Sequence, residues 1–407
     1  MQISVTSETG LLQGVIVHTP GNEVSLVNPD LKDELLFDDI IYEEDARREH
    51  LAMLDIFRVV MPHSDSIFEI LELAKLIFEK GDARHHYLEK LHEAQPEFNL
   101  GPVISDLKKL DPAELLNFII AGTADAIPAF NLNPSPNLLF TRDLAATVPD
   151  GMILSRAARQ ARIRESVLME TIMEYHPMFA NMKEQAIRIG SQESIEGGDV
   201  LVASSKLVLI GMSERTTFSG ILKASRELLK GSVETVLVVD IPKQRSSMHL
   251  DTIFTFCTDH ECITFPPAID DRVDNVVALE LMDDHVITTT KTSLKSALEE
   301  YLGHEMKFVP CGGDNPTNQF REQWTDGANV FALAPGVIVG YNRNTNTFEA
   351  LRKEGYEILN QYDFINSYKH TRFTPDPDVK IAISFEGSEL CRGRGGARCM
   401  TMPLNRS

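Results

Sequence analysis

The sequence predicts an α/β protein built from repeated β-β-α-β units and interrupted once by a helical subdomain. Three observations carry the prediction. Four hairpins of one pattern recur along the chain, each opened by an aspartate or asparagine. Helical periodicity follows three of them. The stretch from about Ser66 to Phe130 departs from the pattern and reads as helix alone.

Taken in order, Asp143 opens DLAATVPDGMILSR, which turns at Pro149, Asp150 and Gly151. Asp199 opens DVLVASSKLVLIGMSER, turning near Ser204 to Lys206. Asp251 opens DTIFTFCTDHECITFPP, turning at Thr258 to Glu261, and Asn329 opens NVFALAPGVIVGYNRN, turning at Ala334 to Gly336. Each couples β-branched or aliphatic runs to turn-forming residues, the signature of a hairpin. The segments RAARQARIRESVLMETIMEYH, RTTFSGILKASRELL and TFEALRKEGYEILN repeat apolar residues at helical spacing, and ETVLVVDIP and MKFVPCG read as later strands. A fifth unit is split between the N-terminal QGVIVHTP and the C-terminal CMTMPL. The irregular spacing argues against an open solenoid. Closure round an axis would bring the hairpin starts together, and an ordinary α+β sandwich is the alternative. Within residues 66–130, IFEILELAKLIFEK, ARHHYLEKLHEA and PAELLNFIIAG read as three helices, and the Pro-rich NLNPSP (131–136) returns the chain to the main body. The expected division is a main domain of residues 1–65 and 131–407 and a helical insertion of residues 66–130.

Composition restricts the function classes. With 407 residues the chain can bury a large core without disulfides or structural metal. Its 39 basic and 60 acidic residues give a net charge of −21, which repels phosphate backbones and excludes a nucleic-acid partner as the expectation. The longest apolar run, Val330 to Tyr341, contains Pro335 and Gly336 and falls short of the ~20 residues that a membrane span requires. The N-terminal MQISVTSETG lacks the basic and apolar regions of a signal peptide, and five cysteines are sparse and odd in number. A cytoplasmic, reducing location is expected.

Four clusters place ionisable groups beside glycines or at strand starts: NLLFTRD (137–143), Glu196-Gly197-Gly198-Asp199, MHLD (248–251) and the loop RGRGGARC (392–399). Singly, each has a plain reading, as capping aspartates, a hydrogen-bonded histidine, a buried cysteine or a flexible tail. Together they supply a thiol, a histidine and several carboxylates. Such a set suits thiolate attack on an electrophilic carbon, with histidine moving protons and a carboxylate orienting it. Arg392, Arg394 and Arg398 are expected to favour the thiolate of Cys399. The spare carboxylates point to a cationic substrate group, and a planar guanidinium matches them. Metal is the competing use, through His249, Asp251, Cys257, His260 and Cys262. The absence of any C-x2-C pair argues against it. No G-x4-G-K-[ST] loop exists for a nucleotide.

The ordered set formed by NLLFTRD, EGGD (196–199), MHLDT (248–252), REQW (321–324) through YNR (341–343) and GRGGARCM (393–400) resembles the arginine deiminases over essentially the whole chain. The resemblance implies a five-fold pseudosymmetric α/β propeller of ββαβ units with a helical insertion after the first unit. It also implies hydrolysis of L-arginine to L-citrulline and ammonia with no metal or organic cofactor. By resemblance Cys399 is the nucleophile, His249 the general acid and base, Glu196 its carboxylate partner, and Asp143 and Asp251 the guanidinium-binding pair. Asn137, Phe140, Arg162, Arg215 and Arg394 fall where the family lines the pocket or holds the amino-acid end of the substrate. A homo-oligomer is expected. Two stretches depart from the family pattern. Thr19 stands before Pro20 where arginine is common, and Val59 to Phe68 lacks the valine-rich strand expected after the first helix. Related guanidino-modifying enzymes, or a non-catalytic arginine-binding protein, are the alternatives.

Overall fold

A computed structural model describes residues 2–190, 192–376 and 378–407. Its strands form five separate sheets of three to five strands, and none closes on itself. The fold is mixed α/β, and the sheets share one internal pattern. A first strand runs antiparallel to a second, and the second runs parallel to a third. The pattern covers Ala145–Val148, Gly151–Leu154 and Ala186–Arg188. It recurs in Val200–Ser204, Leu207–Met212 and Thr235–Asp240. Next come Phe254–Phe256, Glu261–Thr264 and Lys307–Pro310, and then Phe331–Ala334, Val337–Tyr341 and Ile381–Phe385. In the fifth sheet Met402–Arg406 is antiparallel to Leu12–Val17, which is parallel to Ile67–Glu69.

A parallel neighbour demands a crossover, and each is made through a helix. Glu43–Val60, Ile163–Tyr175, Phe218–Leu228, Leu294–Leu302 and Thr345–Lys353 serve the five sheets in turn. The four sequence-predicted hairpins all form, because their turn residues separate strands whose side chains are buried on both faces.

The structure corrects three local readings. Ile67–Glu69 is a strand, and the helix within IFEILELAKLIFEK begins only at Ile70. This short strand takes the place where a valine-rich one was expected. The end of TFEALRKEGYEILN is the strand Glu357–Asn360, added at the edge beside Ile381–Phe385. A further hairpin, Val276–Met282 with His285–Lys291, widens the second sheet to five strands.

Ile70–Phe78, Gly81–Ala94 and Pro112–Ala121 form the expected helices, joined by a short turn of helix at Ile104–Leu107. Asp111 caps the third through the backbone N–H groups of Ala113 and Glu114, with Pro112 in its first turn. Phe78, Tyr87, Leu91 and Phe118 join one apolar cluster with Leu168 and Ile172 of Ile163–Tyr175. Among the described residues, no helix is long and apolar enough to cross a membrane.

Candidate active site

Three short helical turns, Thr141–Leu144, Gly197–Asp199 and Leu250–Thr252, stand immediately before three of the hairpins and pack against one another. They carry Asp143, Glu196 at the N-cap, Asp199, His249 at the N-cap and Asp251. The loop bearing Cys399 closes on them from the last turn before Met402–Arg406. Arg142 N–H donates to the Cys399 carbonyl at 3.1 Å. The Cys399 N–H donates to Asn329 Oδ1 at 3.0 Å, and Asn329 Nδ2 donates to the Asp251 carbonyl at 2.9 Å. Asn329, the fourth hairpin opener, thus ties the thiol's backbone to the Asp251 turn.

His249 is fully buried, with Nε2 2.8 Å from Glu196 Oε2 and Nδ1 3.5 Å from Asp143 Oδ1. Burial works against its charged form, but Asp143, the Glu196 hydrogen bond and Asp199 overcome it and raise the imidazole to about 9. Burial would likewise lift Glu196, yet His249 and Arg215 hold that carboxylate down to about 2. Glu196 Oε1 accepts from the Ala158 N–H at 3.0 Å, which fixes the plane of the carboxylate. Gly198 allows this closeness, because a Cβ there would stand 2.7 Å from His249 Nδ1.

Cys399 Sγ lies 3.9 Å from both Asp251 oxygens. Burial, with Asp251, Asp143 and Asp326 adding to it, pushes this thiol well above its ordinary range, and Arg398 opposes them only in part. Arg398 thus acts in the direction expected of a neighbouring arginine, toward thiolate, but burial and the carboxylates outweigh it. The Arg398 donors are taken up by carboxylates, with Nη1 2.7 Å from Asp251 Oδ2 and the rest of its fork on Glu8 at 3.1–3.2 Å. Arg392 pairs with Asp39 at 2.9 Å, and the Arg394 guanidinium stacks 3.7 Å over the Trp324 ring.

The remaining sequence-predicted residues line the same small cavity. Asn137, Phe140, Asp143, Arg162, Arg215, His249, Arg394 and Cys399 surround it, together with Leu36, Arg245, Met248 and Gly393. Its volume is only about 10 Å³, room for one water. An amino acid enters only if these walls part. The donors of Arg162 are already committed: Nη1 to Asp143, Nε to Glu165 at 3.0 Å, and Nη2 to the carbonyls of Asn137 at 2.9 Å and Phe140 at 3.2 Å. Arg215 pairs with Glu214 at 3.1 Å and approaches Glu196 at 3.8 Å. Asn137 donates to the Leu35 carbonyl at 2.7 Å. Among the pocket arginines, Arg394 alone keeps buried donors, Nε and Nη1, without partners.

The competing metal set does not assemble. Cys257 and Cys262 are buried in two different apolar clusters, and the exposed His260 ring lies against His304. Asp143, Glu196 and His249 do lie within 4.8 Å of one another. The carboxylates of that group already hold imidazole and guanidinium partners, so it behaves as an ion-pair network.

Sequence reading missed the support beneath the site. Glu8, far from any motif, receives the Arg398 fork and is held down to about 2 against its burial by Arg398, Arg142 and Arg406. Its only sequence signal is an acidic residue in a polar N-terminal stretch.

A family model for arginine deiminase matches residues 103–406. The arginine deiminase of Listeria monocytogenes is 34% identical over 432 residues, covering 99% of this chain and 98% of that protein. That of Mycoplasma capricolum is 35% identical over 423 residues, covering 99% and 97%. Among solved structures, a dimethylarginine dimethylaminohydrolase superposes with a TM-score of 0.52 at 13% identity, covering 97% of this chain and 100% of that one. At that identity the likeness establishes the mixed α/β fold alone. The match to most of the chain and the near-full-length relatives at a third identity establish that this chain belongs to the arginine deiminase family.

Proposed function

We propose that the chain hydrolyses the guanidinium of free L-arginine to L-citrulline and ammonia through a covalent intermediate on Cys399. The observation that carries the mechanism is the thiol 3.9 Å from Asp251, in one cavity wall with a histidine clamped between Asp143 and Glu196. Asp143 and Asp251 are the guanidinium clamp. A cation arriving between them offsets two of the charges that raise the thiol, so on binding the thiol gives its proton to solvent water and thiolate is exposed at the electrophilic carbon. Sulfur adds to that carbon to give a neutral tetrahedral adduct. His249, entering as imidazolium, gives its proton to one nitrogen, and ammonia departs as the S-alkylthiouronium forms. Neutral His249 then takes a proton from water as the hydroxyl adds to the same carbon. Collapse expels the sulfur, which regains its proton from the new hydroxyl, and citrulline leaves. The steps require neither metal nor organic cofactor.

Arg394, with unpartnered donors, is the proposed reader of the substrate's α-carboxylate. Agmatine, which lacks that group, is accordingly a poor ligand. Arg162 supports Asp143, Arg215 supports Glu196, and Asn137 and Phe140 shape the pocket. The five sheets are proposed as blades of a pseudosymmetric propeller whose hairpin starts face the axis. The reading is supported by their common strand pattern and by the three turns that meet at the site. Residues 66–130 are proposed as a helical insertion domain on a main domain of residues 1–65 and 131–407, with Ile67–Glu69 still contributing to the first sheet. A cytoplasmic location, in keeping with five free cysteines, and a homo-oligomeric state complete the reading.

Citrulline release from L-arginine is the direct test. Cys399→Ser should abolish turnover while the protein still folds, and acid-quenched wild-type protein should carry an adduct mass on Cys399. Turnover at the wild-type rate by the serine variant would refute the covalent route.

A further inference from the structure

We propose that Asp326 is a positioning residue that seats Arg394 and thereby sets the preference for a substrate bearing an α-carboxylate. The proposal rests on the reading of Arg394 given above. Asp326 is 3% exposed, and neither carboxylate oxygen has a hydrogen-bond partner. A buried carboxylate without partners is costly, so its retention calls for a physical reason. The reason lies in the Arg394 guanidinium, whose Nε and Nη1 are also buried without partners. No ion pair within 4.0 Å joins the two; burial pushes the Arg394 guanidinium down, and the Asp326 carboxylate, ahead of Asp38, works against that shift. Burial pushes the Asp326 carboxyl up to about 7, and Arg394 is the leading charge that opposes the shift and favours the carboxylate. Trp324, two residues before Asp326, supports the guanidinium face at 3.7 Å. One turn thus supplies both a flat platform and a balancing charge.

That turn is anchored to the reaction centre. Gln323 Nε2 donates to the carbonyls of Ser246 at 2.5 Å and Thr252 at 3.3 Å, on either side of His249 and Asp251. Asn329 N–H donates to the Asp326 carbonyl at 3.0 Å, and its side chain accepts the Cys399 N–H. Asp326 therefore stands in fixed relation to the thiol and can set where Arg394 meets the far end of the substrate. Both Asp326 and Arg394 adopt left-handed backbone, at φ +62° and +64°, so each side chain leaves its loop in a defined direction.

Asp326→Asn keeps the shape, and Asp326→Gly removes the side chain. Asparagine and glycine both accept a left-handed backbone, so both variants should fold. Each should raise KM for L-arginine about tenfold and leave the inhibition constant of agmatine unchanged. In an Arg394→Ala background, Asp326→Asn should add nothing, as expected of residues acting through one contact. Unchanged KM in both variants, or equal losses for arginine and agmatine, would overturn the role of Asp326. If Arg394→Ala itself leaves the preference for arginine over agmatine intact, the carboxylate-reading role of Arg394 fails, and this inference fails with it.

Discussion

Gly198→Ala is the sharpest test of how tightly the site is built. An ideal Cβ on Gly198 would lie 2.7 Å from His249 Nδ1 and 2.8 Å from Asp143 Oδ1. Ordinary contact for carbon begins near 3.5 Å, so the imidazole or the carboxylate must retreat by roughly 0.7 Å. Neither can do so freely. His249 is held by Glu196 at 2.8 Å, and Asp143 by Arg162, itself fixed to Glu165 at 3.0 Å. Gly198 has no left-handed φ, so alanine suits its backbone and the perturbation is confined to the two side chains. A displacement approaching 1 Å at reacting groups costs on the order of 100-fold in rate, while overpacking by one methyl costs about 1–3 kcal/mol of stability. We expect kcat/KM for citrulline formation to fall about 100-fold per folded molecule, with a fall in Tm of a few degrees. Gly81→Ala, where an added Cβ meets nothing within 4 Å, is the control and should be silent. Activity within threefold of wild type in folded Gly198→Ala would refute the close apposition of His249 and Asp143.

Four further outcomes are expected. Because His249 is raised from 6.5 to about 9, its contribution to stability is complete below pH 6.5 and is lost as pH rises through 9, a change of roughly 3 kcal/mol visible in chemical denaturation. In Glu196→Gln the imidazole should titrate well below 9 by NMR, and an unchanged value would show that Glu196 does not hold the proton. Asp143→Asn and Asp251→Asn should each lower kcat/KM by at least ~100-fold, since a guanidinium then faces amide donors and one buried charge is left uncompensated. Full specific activity in either folded variant would remove that aspartate from the clamp. Dialysis against a strong chelator should leave activity intact, and recovery of lost activity by zinc would instead implicate Asp143, Glu196 and His249 as ligands.

Much of the framework was legible because turn chemistry is local. Pro149-Asp150-Gly151 and Pro335-Gly336 mark their hairpins without reference to the rest of the chain. Ile67–Glu69 was not legible, since three residues cannot establish an alternating period and the apolar spacing of the following helix runs straight through them. Glu357–Asn360 was lost in the same way, at the end of an amphipathic helix. The gathering of Asp143, Glu196, His249 and Asp251 could be inferred from the repeated position of their clusters at hairpin starts, while Cys399 stood out by its glycine- and arginine-rich loop. The protonation state of Cys399 could not. Sequence shows the arginines beside the cysteine along the chain, whereas the thiol responds to burial and to carboxylates brought from residues 143, 251 and 326. Arg398 is spent on Glu8, a partner 390 positions away.

The pairing of Leu12–Val17 with Met402–Arg406 has a consequence for synthesis. Leu12–Val17 has no such antiparallel neighbour until Met402–Arg406 has emerged, and at 5–20 residues per second the wait is about 20–80 s. Closing so long a loop also costs ~5 kcal/mol in chain entropy, repaid only when the terminal strand docks. During that interval the edge of Leu12–Val17 is open to other strands, and Glu8 waits without its arginine. Cys399 lies just before Met402–Arg406, so the thiol and this seam of the fold come into place together.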